Sequence, residues 1–307
     1  MTTDPTKSVL LVPLDGSRMA ERAAGMAAAV GRHVGCRIVL LAVPEVYGLD
    51  AAWYARAAHD AEGPLVPVEA LLDEARQSAR KTLDENAAAL AGQGLTVDSV
   101  LVDDAPARAI VATATDRGAW LIVMATHGRG GLSRWAFGSV ADKVLHTSHT
   151  PVLLVRVGAE HLDPKLDQIM VALDGSHHAE AVLDDARRIA AAAGGRMLLV
   201  HVVEEPTVAP HGAALLNAQV RYRRRVEERL SALVDDLRAQ GVNAALELLS
   251  GDDVAETLLQ RQEASEIDLV CLTTHGSGGM ERWAFGSVAD RVLRSARSPV
   301  LIRRSIA

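Results

Sequence analysis

The nonapeptide RWAFGSVAD stands at 134–142 and again at 282–290. This internal duplication limits what the chain can fold into more than any other feature. Two further blocks repeat. VLLVPLDGS (9–17) is matched by QIMVALDGS (168–176), and CRIVLLAVPE (36–45) by GRMLLVHVVE (195–204). Around the nonapeptide the match widens to 126–156 against 274–304, where 20 of 31 positions are identical. A period of about 150 residues is too long for a solenoid and is the size of a whole domain. The expected organisation is one domain at 1–157, a polar linker at 158–166 holding Pro164, and a second domain at 167–307.

Each copy alternates short apolar runs with longer helical segments. In the first copy, strands are expected at 9–13, 38–43, 97–102, 120–125 and 152–156, and helices at 68–91, 106–117 and 139–146. The strands are apolar throughout, as in strands buried on both faces. Asp15 and Ser17 supply helix-start chemistry before an Ala-rich segment. Strand–helix alternation implies α/β domains, each a parallel sheet covered on both faces, with ligand sites at the carboxyl ends of the strands.

The turn after the fourth strand is the most informative place. It reads MATHGRGGLSRWAFGSVAD, with glycines gathered where a buried strand ends and a helix opening at Gly138 and Ser139. Glycine lets backbone N–H groups approach a ligand closely. A helix N-terminus offers unpaired N–H groups and the positive end of a dipole, which suits phosphate. Ser139 can cap that helix or donate its hydroxyl to a phosphate oxygen. Neither the P-loop pattern nor the dinucleotide pattern G-x-G-x-x-G fits these glycines.

On these residues the chain resembles the universal stress protein family, and its tandem two-domain members in particular. The family's ATP-binding pattern is G-x-x-G, nine residues, then G-[ST]. Gly128 and Gly138-Ser139 keep that spacing, as do Gly276 and Gly286-Ser287. PLDGS and ALDGS match the family's first strand, and TPVLLVR and SPVLIRR its last. The resemblance implies two tandem doubly wound domains, each a five-stranded parallel sheet flanked by helices. They would pack as an internal pseudo-dimer through their last strands, with a homodimer as a further level. It also implies ATP, AMP or ADP as ligand, with Mg alongside.

Carried over position by position, Asp15 and Asp174 would meet the ribose or adenine, and Val43 and Val202 would meet adenine through their backbone. Gly128, Arg129, Gly138, Ser139 and Val140 would surround the phosphates in the first half. Gly276, Ser277, Gly286, Ser287 and Val288 would do so in the second. The strand-end residues Pro13, Leu14, Met124, Ala172, Leu173 and Leu272 would line the same sites. The pattern's first glycine is replaced, by Ala125 in one half and by the β-branched Thr273 in the other. Arg129 can grip phosphate where Ser277 is neutral. Asp103 stands opposite Gly251. These differences give the expectation that the first half binds ATP at least as tightly as the second.

Blander readings stand beside these. The glycines can be turn formers, Asp15 and Asp174 helix caps, and His127 and His275 loop-orienting residues. Trp135, Phe137, Trp283 and Phe285 read as anchors for the loop, or for packing one half on the other. His146, His149, His177 and His178 lack partners at zinc spacing. RYRRRVEERL (221–230) holds two glutamates and reads as a solvated helix face. An insertion at 47–67, carrying Trp53 and Tyr54, lengthens the first half and reads equally as a lid, a partner surface or a passive loop.

The net charge of −7 offers no broad basic field for nucleic acid or an anionic membrane. The two cysteines are far apart in apolar segments, and the start lacks a signal peptide's pattern, so a cytoplasmic protein is expected. Function is expected to be regulatory, an adenine nucleotide biasing the binding of an unidentified protein partner. A slow ATPase or phosphotransferase and a nucleotide-free scaffold are the alternatives.

Overall fold

The computed structural model describes residues 8–44, 68–126, 138–156, 164–204, 213–274 and 285–304. In the first half the strands are β1 (Val9–Leu14), β2 (Arg37–Ala42), β3 (Val97–Leu101), β4 (Ala119–Ala125) and β5 (Val152–Val155). Its helices are α1 (Arg18–Val34), α2 (Val68–Ala91), α3 (Pro106–Asp116) and α4 (Ser139–Thr147). The second half repeats the strands as β6 (Gln168–Ala172), β7 (Arg196–Glu204), β8 (Asn243–Gly251), β9 (Leu269–Thr273) and β10 (Val300–Arg303). Its helices are α5 (His177–Glu180), α6 (Leu183–Ala193), α7 (Ala213–Ala239), α8 (Val254–Ala264) and α9 (Ser287–Ser295). The bounds fall within a residue of those expected for the first half.

Each half is a parallel five-stranded sheet, in the orders β3-β2-β1-β4-β5 and β8-β7-β6-β9-β10. The two join into one ten-stranded sheet because β5 and β10 pair antiparallel, with Leu153 opposite Leu301. The last strands thus close the pseudo-dimer within one chain, and each covers the other's edge, which would otherwise present unpaired N–H and C=O groups.

Alternation along the strands divides the core in two. Leu10, Val12 and Leu14 face one layer, with α1, α2, α6 and α7; Val9 and Leu11 face the other, with α3, α4, α8 and α9. Each fully buried leucine of this kind contributes about 1.5–3 kcal/mol. Alanines form the buried stripe of α1, so the helix lies close on the sheet; its Gly31 leaves only 3.4 Å for a Cβ against Ile38 and Leu95. Gly35 and its equivalent Gly194 end α1 and α6 in the left-handed region, at φ 72° and 68°.

Candidate functional site

In each sheet the chain winds outward in both directions from the centre, so the strand order reverses between β1 and β4, and between β6 and β9. Crevices at the carboxyl ends of strands open at such points. The backbone pairing of β1 with β4 ends at Leu11 and Ile122, yet both strands run three residues further, to Leu14 and Ala125. In the second half the pairing of β6 with β9 ends at Val171 and Cys271. The strands therefore part at their carboxyl ends, where Pro13, Leu14, Met124 and Ala125 stand in one half and Ala172, Leu173, Leu272 and Thr273 in the other.

The LDGS segments after β1 and β6 fold alike. Asp15 Oδ1 accepts the Ser17 N–H at 2.9 Å, and Asp174 Oδ1 accepts the Ser176 N–H at 2.9 Å. Gly16 and Gly175 take φ of 75° and 82°, which a side chain would strain. Ser17 and Ser176 then cap their helices by accepting from Ala20 and Ala179, both at 3.2 Å. Each aspartate thus holds its turn at the mouth of the crevice. Val43 follows directly on β2 and Val202 lies near the end of β7, each in the strand beside that mouth.

The corner at the start of α4 and α9 is built identically twice. Thr126 and Thr274, 1% and 2% exposed, extend the fourth strand of each half by one residue. Their N–H groups donate to Val155 and Arg303 carbonyls at 3.0 Å, and their carbonyls accept the Gly138 and Gly286 N–H at 2.8 Å. The helix start is thereby tied to two strands. Sequence reasoning missed both threonines; their signal is the repeated TH at the head of the third block.

The caps of α4 and α9 are Gly138 and Gly286, which offer no side chain, so Ser139 is the first helical residue; of its two expected roles, capping is not the one it takes. The first intrahelical bonds run from Asp142 to Gly138 and from Asp290 to Gly286, at 3.0 and 2.9 Å. The amides of Ser139, Val140 and Ala141, and of Ser287, Val288 and Ala289, stand in the turn that has no intrahelical acceptor. Ser139 and Ser287 are exposed beside them. Gly128, Arg129, Gly276 and Ser277 lie outside the described residues, as do His127, His275, Trp135, Phe137, Trp283 and positions 47–67.

One further residue escaped sequence reasoning. His201, in β7 next to Val202, is 3% exposed, and its Nδ1 donates to the Leu173 carbonyl at 2.8 Å. Its Nε2 is buried with no hydrogen-bond partner. The first half has Ala42 there, so this tie between the second strand and the aspartate turn exists only in the second half.

The model of the universal stress protein family matches the chain twice, over residues 8–156 and 165–304. A universal stress protein of Mycobacterium tuberculosis strain CDC 1551 / Oshkosh is 26% identical over 99% of this chain and 97% of its own. One from Mycolicibacterium smegmatis is 27% identical over 69% of this chain and 70% of its own. Among solved structures, a universal stress protein from Archaeoglobus fulgidus superposes with a TM-score of 0.70. It covers 97% of this chain and 98% of its own at 20% identity, a likeness of fold.

Proposed function

The chain belongs to the universal stress protein family in both of its halves, and from that premise we propose that each half binds an adenine nucleotide, ATP foremost, between its parted central strands. The observation that carries this reading is the helix start at Gly138 and Gly286. A side-chain-free cap leaves the first amides of α4 and α9 to an outside acceptor, at the strand ends where the sheet opens. A Mg ion would arrive with the triphosphate.

Within this reading Val43 and Val202 take adenine, Asp15 and Asp174 the ribose side, and Ser139 and Ser287 the phosphates, with Gly128, Arg129, Gly276 and Ser277 completing the phosphate loops. The role is regulatory: a nucleotide that binds one conformation better shifts the chain toward it, and with it the affinity for a protein partner. The first half binds at least as tightly as the second. Ala125 adds only a methyl at the end of β4, whereas Thr273 places a buried, branched side chain at the end of β9.

Calorimetric titration with ATP tests this, beside mass spectrometry of whatever nucleotide the purified chain releases on mild denaturation. Gly138 and Gly286 have φ of −61° and −66°, open to any residue, so valine there fills the crevice without breaking the turn. Gly138→Val is expected to remove the tighter binding event and Gly286→Val the weaker, each by about ten-fold or more. No ATP binding by the wild-type chain refutes the function; loss of binding confined to Gly286→Val refutes the ranking.

A further inference from the structure

We infer that His146, a residue of the first half, positions the phosphate turn of the second half, so that the second site is incomplete without the first domain; this rests on the nucleotide-binding reading above. His146 lies in the last turn of α4. Its ring meets the Phe285 ring edge-on, with centroids 4.9 Å apart and planes at 84°. Phe285 immediately precedes Gly286 and Ser287 and is itself half-buried against the core. The aromatic pair therefore fixes the residue from which the helix start of α9 departs. The direction of the Ser287 and Val288 amides depends on that departure as well as on the bond from Gly286 to Thr274.

The last turn of α4 is held firmly enough to serve as a reference. Arg304, from the end of the second half, donates from Nη1 to the His146 carbonyl at 3.1 Å. Reciprocally, Arg156 Nη1 donates to the Leu293 carbonyl in the last turn of α9 at 3.0 Å. Each arginine places its charge at the negative end of the other half's helix, a favourable site for a cation. The His146 ring is in turn anchored within α4, its Nδ1 2.6 Å from the Asp142 carbonyl oxygen.

The pseudo-equivalent of His146 in the second half is Arg294, and it does different work. Its Nε donates to both oxygens of Asp290 at 2.9 Å, and its guanidinium feels Asp142 across the seam as well. The RWAFGSVAD repeat, identical in the two halves, gives no hint of this exchange of histidine for arginine.

The test uses the full chain and ATP as probe. Gly138→Val leaves the second site to be read alone, and Gly286→Val the first. In the Gly138→Val chain, His146→Ala is expected to weaken ATP binding about five-fold, the scale of one aromatic edge contact. His146→Phe, which keeps a ring against Phe285, should return the affinity to within about two-fold. In the Gly286→Val chain, His146→Ala should change affinity by less than about two-fold. Unchanged second-site affinity overturns the inference, as does an equal loss at both sites, which would mark a general effect on stability. A wild-type chain that binds no ATP overturns the nucleotide reading and this inference together; wild-type binding with an unaffected second site overturns this inference alone.

Discussion

The two halves differ least at the crevice and most where they lean on each other. The corner formed by Thr126, Gly138 and Val155 recurs at Thr274, Gly286 and Arg303 with the same hydrogen bonds to 0.1 Å. The side chains behind that shared backbone have been rewritten. The first half has Met26 on α1 and Val155 on β5, both buried; the equivalent positions in the second half hold Asp185 and Arg303, paired at 2.8 Å. A duplicated chain can repack its interior in one copy, because any filling that satisfies its own polar groups will serve. The corner at the helix start, by contrast, keeps the same backbone hydrogen bonds in both halves.

The buried pair gives the largest expected effect, and it can break this comparison. Asp185→Met alone would leave Arg303 facing apolar surface. We expect a loss of about 2 kcal/mol, below the figure for a fully buried pair because 35% of the Arg303 side chain reaches solvent. Asp185→Met with Arg303→Val, which writes the first half's solution into the second, should return to within about 1 kcal/mol of wild type in urea unfolding. If the double variant is as unstable as the single, the two cores are not interchangeable.

The same pair makes a prediction about pH. Burial holds the Asp185 carboxyl above its ordinary value of 3.8, against the opposing pull of Arg303. The folded chain therefore binds this proton more tightly than the unfolded chain does. Its contribution to stability falls as pH rises from 3.8 through the folded value, and the double variant should lose that component of the pH profile.

A smaller effect is expected at the end of the third strand, where the sequence shows Asp103 opposite Gly251. In the first half Asp103 turns outward to Arg76 on α2, at 3.1 Å, and the neighbouring helix presents Ala109. In the second half Thr257 replaces that alanine and fills the space. A Cβ on Gly251 would come within 2.1 Å of its Oγ1, which itself donates to the Asp253 carbonyl. Glycine and threonine are thus one joint substitution. Gly251→Ala should cost about 1.5 kcal/mol. Adding Thr257→Ala should recover about 1 kcal/mol of what two independent changes would lose. Additive losses would mean that the two positions diverged separately.

These cases mark what was legible in the sequence. The sheet, its halves and the glycine corner follow from local signals: apolar runs of strand length, LDGS turns, and a block written twice. Pairing of the last strands was expected from the family resemblance, and the single ten-stranded sheet follows from it. Illegible were the contacts between residues far apart in the chain, such as Asp185 with Arg303 or His146 with Phe285. No periodicity carries them, because they depend on which side chains the packing of a helix on its own sheet, or of one half on the other, brings face to face. Ser139 shows a smaller limit. Serine is the commoner cap, but the glycine before it takes that place, with φ and ψ of −61° and 146°.

The smallest effect tests the seam on the sheet face away from α4 and α9. There the Arg188 guanidinium, on α6, lies 4.1 Å from the centre of the Trp120 ring and also hydrogen-bonds Ser8. Trp120 donates its indole N–H to Cys36 Sγ at 3.3 Å, which fixes the ring plane under the cation. The equivalent positions are Ala29 and Asp268, so this tie too exists once. Half-exposed cation–π contacts are worth about 0.5–1 kcal/mol. Arg188→Ala should cost about 1 kcal/mol in thermal unfolding, with the Ser8 bond included, and Arg188→Lys less, because an ammonium keeps the charge but not the flat stacking surface. A double-mutant cycle with Trp120→Leu isolates the pair. A coupling of about 0.5 kcal/mol or more would make this contact a working link between the halves. Zero coupling would leave α1, α6 and the antiparallel strands to hold that face by apolar packing alone, and the asymmetry of the seam would then reside on the α4 and α9 side.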